Sequence, residues 1–203
     1  MAGQSYVDKK GLTVKELVSI GVFTALFVVF AMIGGTPFSP NPVLTFYTPL
    51  GMSLLCGPMF LLMVAKAPKR WSITILAVIV AVLWYVTGMH WAQAVGSLVL
   101  GIIADFVAGT KQYKSKKINV LAYMIYCLHF TGSYVVYFID PAGWAATILA
   151  KGTSQDYVDT MAASYTGWMP FVVIIGTLVL AAFSGWVGCK LLKKQFEKAG
   201  IAA

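Results

Sequence analysis

The chain has 203 residues, of which 59% are hydrophobic and 11% charged, with a mean hydropathy of +0.80. A soluble domain carries roughly 25% charged residues, so this composition excludes a water-soluble globule and indicates one compact membrane domain spanning residues 1–203. The formal net charge of +8 would point to nucleic acid in a soluble protein, but here the cations stand at the ends of apolar runs, where they orient the chain and meet anionic headgroups, and nucleic-acid binding is excluded.

Met1 to Lys10 is polar, and the first apolar run is span-length with no small-residue cleavage site after it, so the first helix is expected to remain in the chain. That run predicts a first span over 17–33, preceded by Lys9, Lys10 and Lys15. A charge-free loop rich in Gly and Pro follows, from Gly34 to Pro42. The second span is predicted over 48–65, with Gly57-Pro58 in its middle and Lys66, Lys69 and Arg70 closing it. Proline removes a backbone donor, so a kink is expected there, and a re-entrant break is the alternative. The third span covers 72–87. A short turn, Gly88-Met89-His90, leads to the fourth over 91–108, which Lys111, Lys114, Lys116 and Lys117 follow. The fifth covers 118–139, the longest loop runs over 140–168, and the sixth span is 169–192, ending among Lys190, Lys193, Lys194 and Lys198.

These elements predict an all-α integral membrane protein, a compact bundle of six transmembrane helices. All of the 15 Lys and Arg except Lys151 then fall on the side that holds both termini. Excess Lys and Arg mark the cytoplasmic side, so both ends are expected inside. Loop 140–168, with Asp140, Asp156 and Asp159, is then expected outside.

Chemistry at depth requires acids, bases or metals that are costly in a bilayer. Asp105 is the one acidic residue within a predicted span, read as an interfacial carboxylate that meets Lys111 or Lys114. No HExxH, Walker A, GxSxG or GxGxxG pattern occurs. Cys56, Cys127 and Cys189 lie in apolar stretches without metal-ligand spacing and read as small buried residues. The chain is therefore expected not to be an enzyme and to need no cofactor or metal, its task being binding or transport.

Gly21 and Ala25 are small residues four apart on the first helix, a spacing that lets helices approach closely. Ala181, Gly185 and Cys189 repeat the spacing on the sixth, with Gly188 beside them, and there internal packing is the expected use. On the fifth helix Tyr126, His129, Ser133, Tyr137 and Asp140 share one face. Buried polar groups need partners, and a bound ligand would supply them. Gln93 and Ser97 face the same outer half from the fourth helix. Aromatics crowd the outer side, including Tyr47, Trp84, Trp91, Trp144, Tyr157 and Trp168, more than an interfacial belt alone explains. The expected pocket lies between the outer halves of helices three to six, beneath the first outer loop and loop 140–168. Its contact residues are Tyr47, Trp84, His90, Trp91, His129, Tyr137 and Trp168. A planar vitamin-like compound fits such a lining, and His90, Met89 and His129 leave haem open.

Six short helices, cytoplasmic ends and no ATPase motif, with Thr13-Val-Lys-Glu-Leu17, Gly21 and Ala25, together resemble the substrate-binding S component of an energy-coupling factor (ECF) transporter. The stretch from Gly101-Ile-Ile-Ala-Asp105 through Lys117-Ile-Asn119 to Tyr123 resembles the S-component family called Trep_Strep. The resemblance implies a subunit that captures a small organic micronutrient from outside, in a cell membrane, while a membrane T component and two cytoplasmic ATPases supply energy. It also implies that Gly21 and Ala25 dock the T component, Gly21 standing where S components carry the first Ala of an Ala-x-x-x-Ala motif. The alternative is a stand-alone channel or secondary carrier for a small solute. Against it, the one interrupted span, at Gly57-Pro58, has no counterpart in the second half.

Overall fold

A computed structural model describes residues 11–191 and 193. The expected helix-flanking residues Lys9, Lys10, Leu192, Lys194 and Lys198 lie outside the described residues. The described chain is helical, and five helical segments are long and apolar enough to cross a membrane.

Helix α1, Val14–Gly35, starts three residues before the predicted span because Thr13 and Glu16 form a capping box. The Glu16 carboxylate accepts from the Thr13 backbone N–H at 2.7 Å, and the Glu16 N–H donates to the Thr13 hydroxyl at 3.3 Å. This satisfies two of the N–H groups that every helix start leaves unpaired. A 3-10 turn, Thr45–Tyr47, leads into α2, Thr48–Lys66, the most buried of the long helices. Pro58 does not break α2. The neighbouring Gly57 N–H donates to the Ser184 hydroxyl on the last helix at 3.1 Å, so a side chain across the helix contact meets a backbone group at the proline step.

Helix α3, Ser72–Val86, is apolar but has 15 residues, which at 1.5 Å each span about 22 Å. Helix α4 is Trp91–Gly109. The predicted fifth span is divided: α5, Lys116–Cys127, a 3-10 turn, Leu128–Thr131, and α6, Gly132–Ile139. The sixth predicted span appears as Met169–Leu191.

The predicted long loop is largely helical. Asp140 accepts from the Gly143 N–H at 2.9 Å and starts α7, Pro141–Leu149, and Ser154 caps α8, Gln155–Ser164. A capping Asp followed by Pro is a helix start legible in the sequence. Met169–Leu191 is accordingly α9.

Helix α2 packs between α1 and α9, while α3 pairs with α4, and α5 packs on both α4 and α9. Glycines set the closest crossings. A Cβ on Gly34 of α1 would meet the Gly51 backbone of α2, and one on Gly51 would meet Gly34. Gly185 faces Val120, and Gly188 faces Pro58 and Leu61, so the small residues of α9 are used inside the bundle.

Candidate functional site

The bundle has an aromatic end, where α7 and α8 lie, and a Lys-rich end. At the aromatic end the space expected to hold a ligand is filled by side chains. Phe46 stands 5.4 Å from Tyr137 and 5.8 Å from Tyr134, and Trp144 meets Tyr137 edge-on at 5.2 Å. Val158 and Met161 of α8 and Met169 of α9 close the same buried cluster. The Trp144 indole donates to Ser133 at 2.9 Å, and Tyr157 donates to the Ser39 carbonyl at 2.7 Å, which ties α8 to the loop between α1 and α2. Of the predicted contacts, Tyr137 belongs to this cluster and Tyr47 is half-buried beside it. Trp91 and Trp168 stay half exposed outside both buried clusters, the position of interfacial anchors.

Trp84 and His129 are brought together in the core of the bundle. The Trp84 indole donates to His129 Nε2 at 3.3 Å, and His129 Nδ1 donates to the Tyr126 carbonyl at 2.6 Å. An imidazole that accepts at one nitrogen must carry its proton on the other, and both needs are met within the protein. No ligand is required to satisfy His129. One turn nearer the Lys-rich end, Tyr126 bonds Ser97 at 3.0 Å, and Ser97 donates to the Ala77 carbonyl at 3.0 Å. Tyr126 and His129 of the polar stripe thus form a core network with Trp84 of α3 and Ser97 of α4, while Ser133 and Tyr137 belong to the aromatic end and Asp140 caps α7.

His90 caps α4: its Nδ1 accepts from the Ala92 N–H at 3.2 Å. Its ring is 3% exposed, and Nε2 has no hydrogen-bond partner within the protein. Lys151, at the end of α7, donates to the carbonyls of Gly88 and Met89 and clamps the α3–α4 turn from above. Burial and the nearby Lys151 charge both push the His90 pKa below its ordinary value.

At the Lys-rich end a cavity of about 760 Å³ opens between the α2–α3 and α4–α5 turns, lined by Arg70, Trp71, Asp105, Phe106, Tyr113 and Lys114 among others. Asp105 does not pair with Lys111 or Lys114 as its position near the inner helix end suggested. It is 4% exposed, and its carboxylate accepts from the backbone N–H groups of Trp71 at 2.8 Å and Ile73 at 3.1 Å. It therefore caps the start of α3 from the neighbouring helix. The Tyr113 hydroxyl donates to the same carboxylate at 3.3 Å, and burial together with Asp105 holds that hydroxyl well above the usual phenol range. The Arg70 guanidinium lies over Trp71 at 5.0 Å and over Phe106 at 5.2 Å. Composition signals these residues only as the cations and aromatics of two short turns, and nothing in their spacing says that the turns meet.

Gly21 and Ala25 are exposed on the face of α1 turned away from the bundle. A Cβ on Gly21 would meet nothing within 4 Å. Val18 and Val22 are also exposed on this helix.

Comparison with curated proteins and with solved structures gave no match. A family model described as "hypothetical bacterial integral membrane protein (Trep_Strep)" matches residues 14–198, which takes in every long helix described above. The chain belongs to the Trep_Strep family of bacterial integral membrane proteins.

Proposed function

We propose that the chain is the substrate-specific membrane subunit of an ECF-type uptake system, binding a small organic micronutrient, vitamin-like or haem, at its aromatic end. In this reading six helices cross the cell membrane, α3 included, with both termini cytoplasmic, and the protein performs no catalysis of its own. The observation that carries the reading is the open small-residue patch on α1. Gly21 and Ala25 have no packing duty inside the bundle, and a close-approach surface left free on a membrane helix serves a second membrane helix. The T component is the proposed occupant, and two ATPases act through it. The filled aromatic end supports a closed state, with α7 and α8 folded down over the site and a ligand entering when they lift.

Proteoliposomes decide between this and a stand-alone channel or carrier. Uptake of a candidate vitamin or haem that appears only when T component and ATPases are co-reconstituted with ATP supports the subunit reading. Flux through vesicles that hold this chain alone supports the rival.

A further inference from the structure

We propose that the cavity at the Lys-rich end binds a phosphate ester, with Arg70 and Lys114 holding the phosphate and Trp71 and Phe106 flanking its apolar part. The site stands on this chain's own geometry and does not depend on the uptake reading.

The cations there divide into used and unused. Lys69 is paired with Glu16 at 3.0 Å. Arg70 and Lys114 are exposed on the cavity, and neither side chain bonds a carboxylate or carbonyl among the described residues. The cavity's own acid forms no ion pair with either, its oxygens being held by Trp71, Ile73 and Tyr113, and its single charge leaves the two cations in excess. Arg70 is also held in place by the two rings it covers. A guanidinium stacked through its faces keeps its edge N–H groups for an in-plane acceptor, and phosphate is the acceptor whose geometry matches that fork.

Backbone strain concentrates at the same place. Among the described residues three non-glycines have positive φ: Trp71 at 78°, Gln112 at 52° and Tyr113 at 61°. All three line this cavity. A left-handed conformation is strained for a bulky residue and persists where surrounding structure enforces it, as it does at binding sites. At Trp71 and Tyr113 the restraining group is Asp105, since it grips the Trp71 N–H and the Tyr113 hydroxyl together. The cavity lies where α2 ends at Lys66 and α5 begins at Lys116, the level of lipid headgroups for a chain of this kind. A phosphate can reach it as a phospholipid headgroup or as a free phosphate ester, and the chemistry of recognition is common to both.

The test uses the purified full chain in neutral detergent, followed by its thermal unfolding midpoint. One arm titrates inorganic phosphate against chloride at equal ionic strength. The other titrates phosphatidylglycerol against phosphatidylcholine. Saturable stabilisation by phosphate assigns a free ester, and saturable stabilisation by phosphatidylglycerol alone assigns a lipid. In either case Arg70→Gln with Lys114→Gln should weaken half-saturation at least about tenfold, the loss of more than 1.4 kcal/mol of charge-assisted bonding. Lys111→Gln with Lys117→Gln removes equal charge from the same end outside the cavity, and should leave half-saturation within about twofold. The proposal is overturned if neither probe stabilises the protein saturably, or if the two double variants weaken binding alike.

Discussion

Asp105, His129 and His90 show how differently three polar residues in apolar sequence are employed. Asp105 binds two backbone N–H groups of another helix. Asp105→Ala should therefore lower stability by about 3 kcal/mol, because it strands buried donors. Unfolding in detergent would measure this, and Asp105→Asn, which keeps one acceptor oxygen, should recover part of the loss. A change below about 0.5 kcal/mol for Asp105→Ala, the level of an ordinary surface site, would refute the capping role. His129 could be recognised in sequence as a polar member of a helical stripe, but not as satisfied. Its partners are the Trp84 indole, 45 residues away in sequence, and a carbonyl freed where the helix tightens to a 3-10 turn. His90 carries a pH dependence. Its folded pKa lies below the unfolded one, so the unfolded chain binds the proton more readily. Its contribution to stability is then complete above about pH 6.5 and is lost as pH falls toward the folded value. The unfolding midpoint of the wild type should drop on acidification below that point. His90→Asn still caps α4 but does not titrate, and its midpoint should drop less. Equal slopes would remove His90 from the account.

The apolar runs located the helices to within a few residues. Composition and proline-glycine punctuation set the boundaries of α2, α3 and α4, as the start of α4 at Trp91 after Gly88 shows. The division of the fifth span at Leu128–Thr131 and the helices in 140–168 were not read from hydropathy. The first arises from packing against α4. The second rests on the local caps Asp140 and Ser154, which a search for spans passes over. Spacing of small residues marked α1 and α9 equally, yet only α9 spends that stripe inside the bundle. The two uses predict opposite mutational behaviour on one helix. Gly34→Ala places a methyl against the Gly51 backbone, and overpacking at a helix crossing should cost about 2 kcal/mol. A Cβ at Gly21 meets no atom within 4 Å and the position is exposed, so Gly21→Leu should change stability by less than about 0.5 kcal/mol, while abolishing co-purification with a T component under the proposed function. If Gly21→Leu unfolds the protein instead, α1 has an internal contact at that position.

At the scale of the whole molecule the class was legible: membrane residence, helical content and the concentration of cations at one end all follow from composition and the placement of Lys and Arg. The candidate site was less so. Aromatic abundance near Trp144 and Tyr165 was visible, but abundance does not distinguish a lining from a filling, and here the rings pack on one another. The Lys-rich cavity depends on two distant turns meeting, which one sequence does not disclose. Finally, under the proposed function α3 crosses the membrane, yet it reaches about 22 Å where the hydrocarbon layer measures about 30 Å, and its neighbours are longer. A bilayer held by such a bundle is asked for two thicknesses at once, and the adjustment falls beside the short helix, where lipid must dimple inward or water must follow the polar turns down. Thermal unfolding in short-, medium- and long-chain phosphatidylcholine vesicles reads this directly. The unfolding midpoint should be highest in short chains, and lengthening α3 by one turn should move the optimum to longer ones. An optimum indifferent to acyl length would mean that the neighbouring helices screen α3 from lipid. If the optimum follows acyl length as expected, the protein acts on the membrane around it as a local thinning agent, lowering the barrier that a polar solute meets along one side of the bundle.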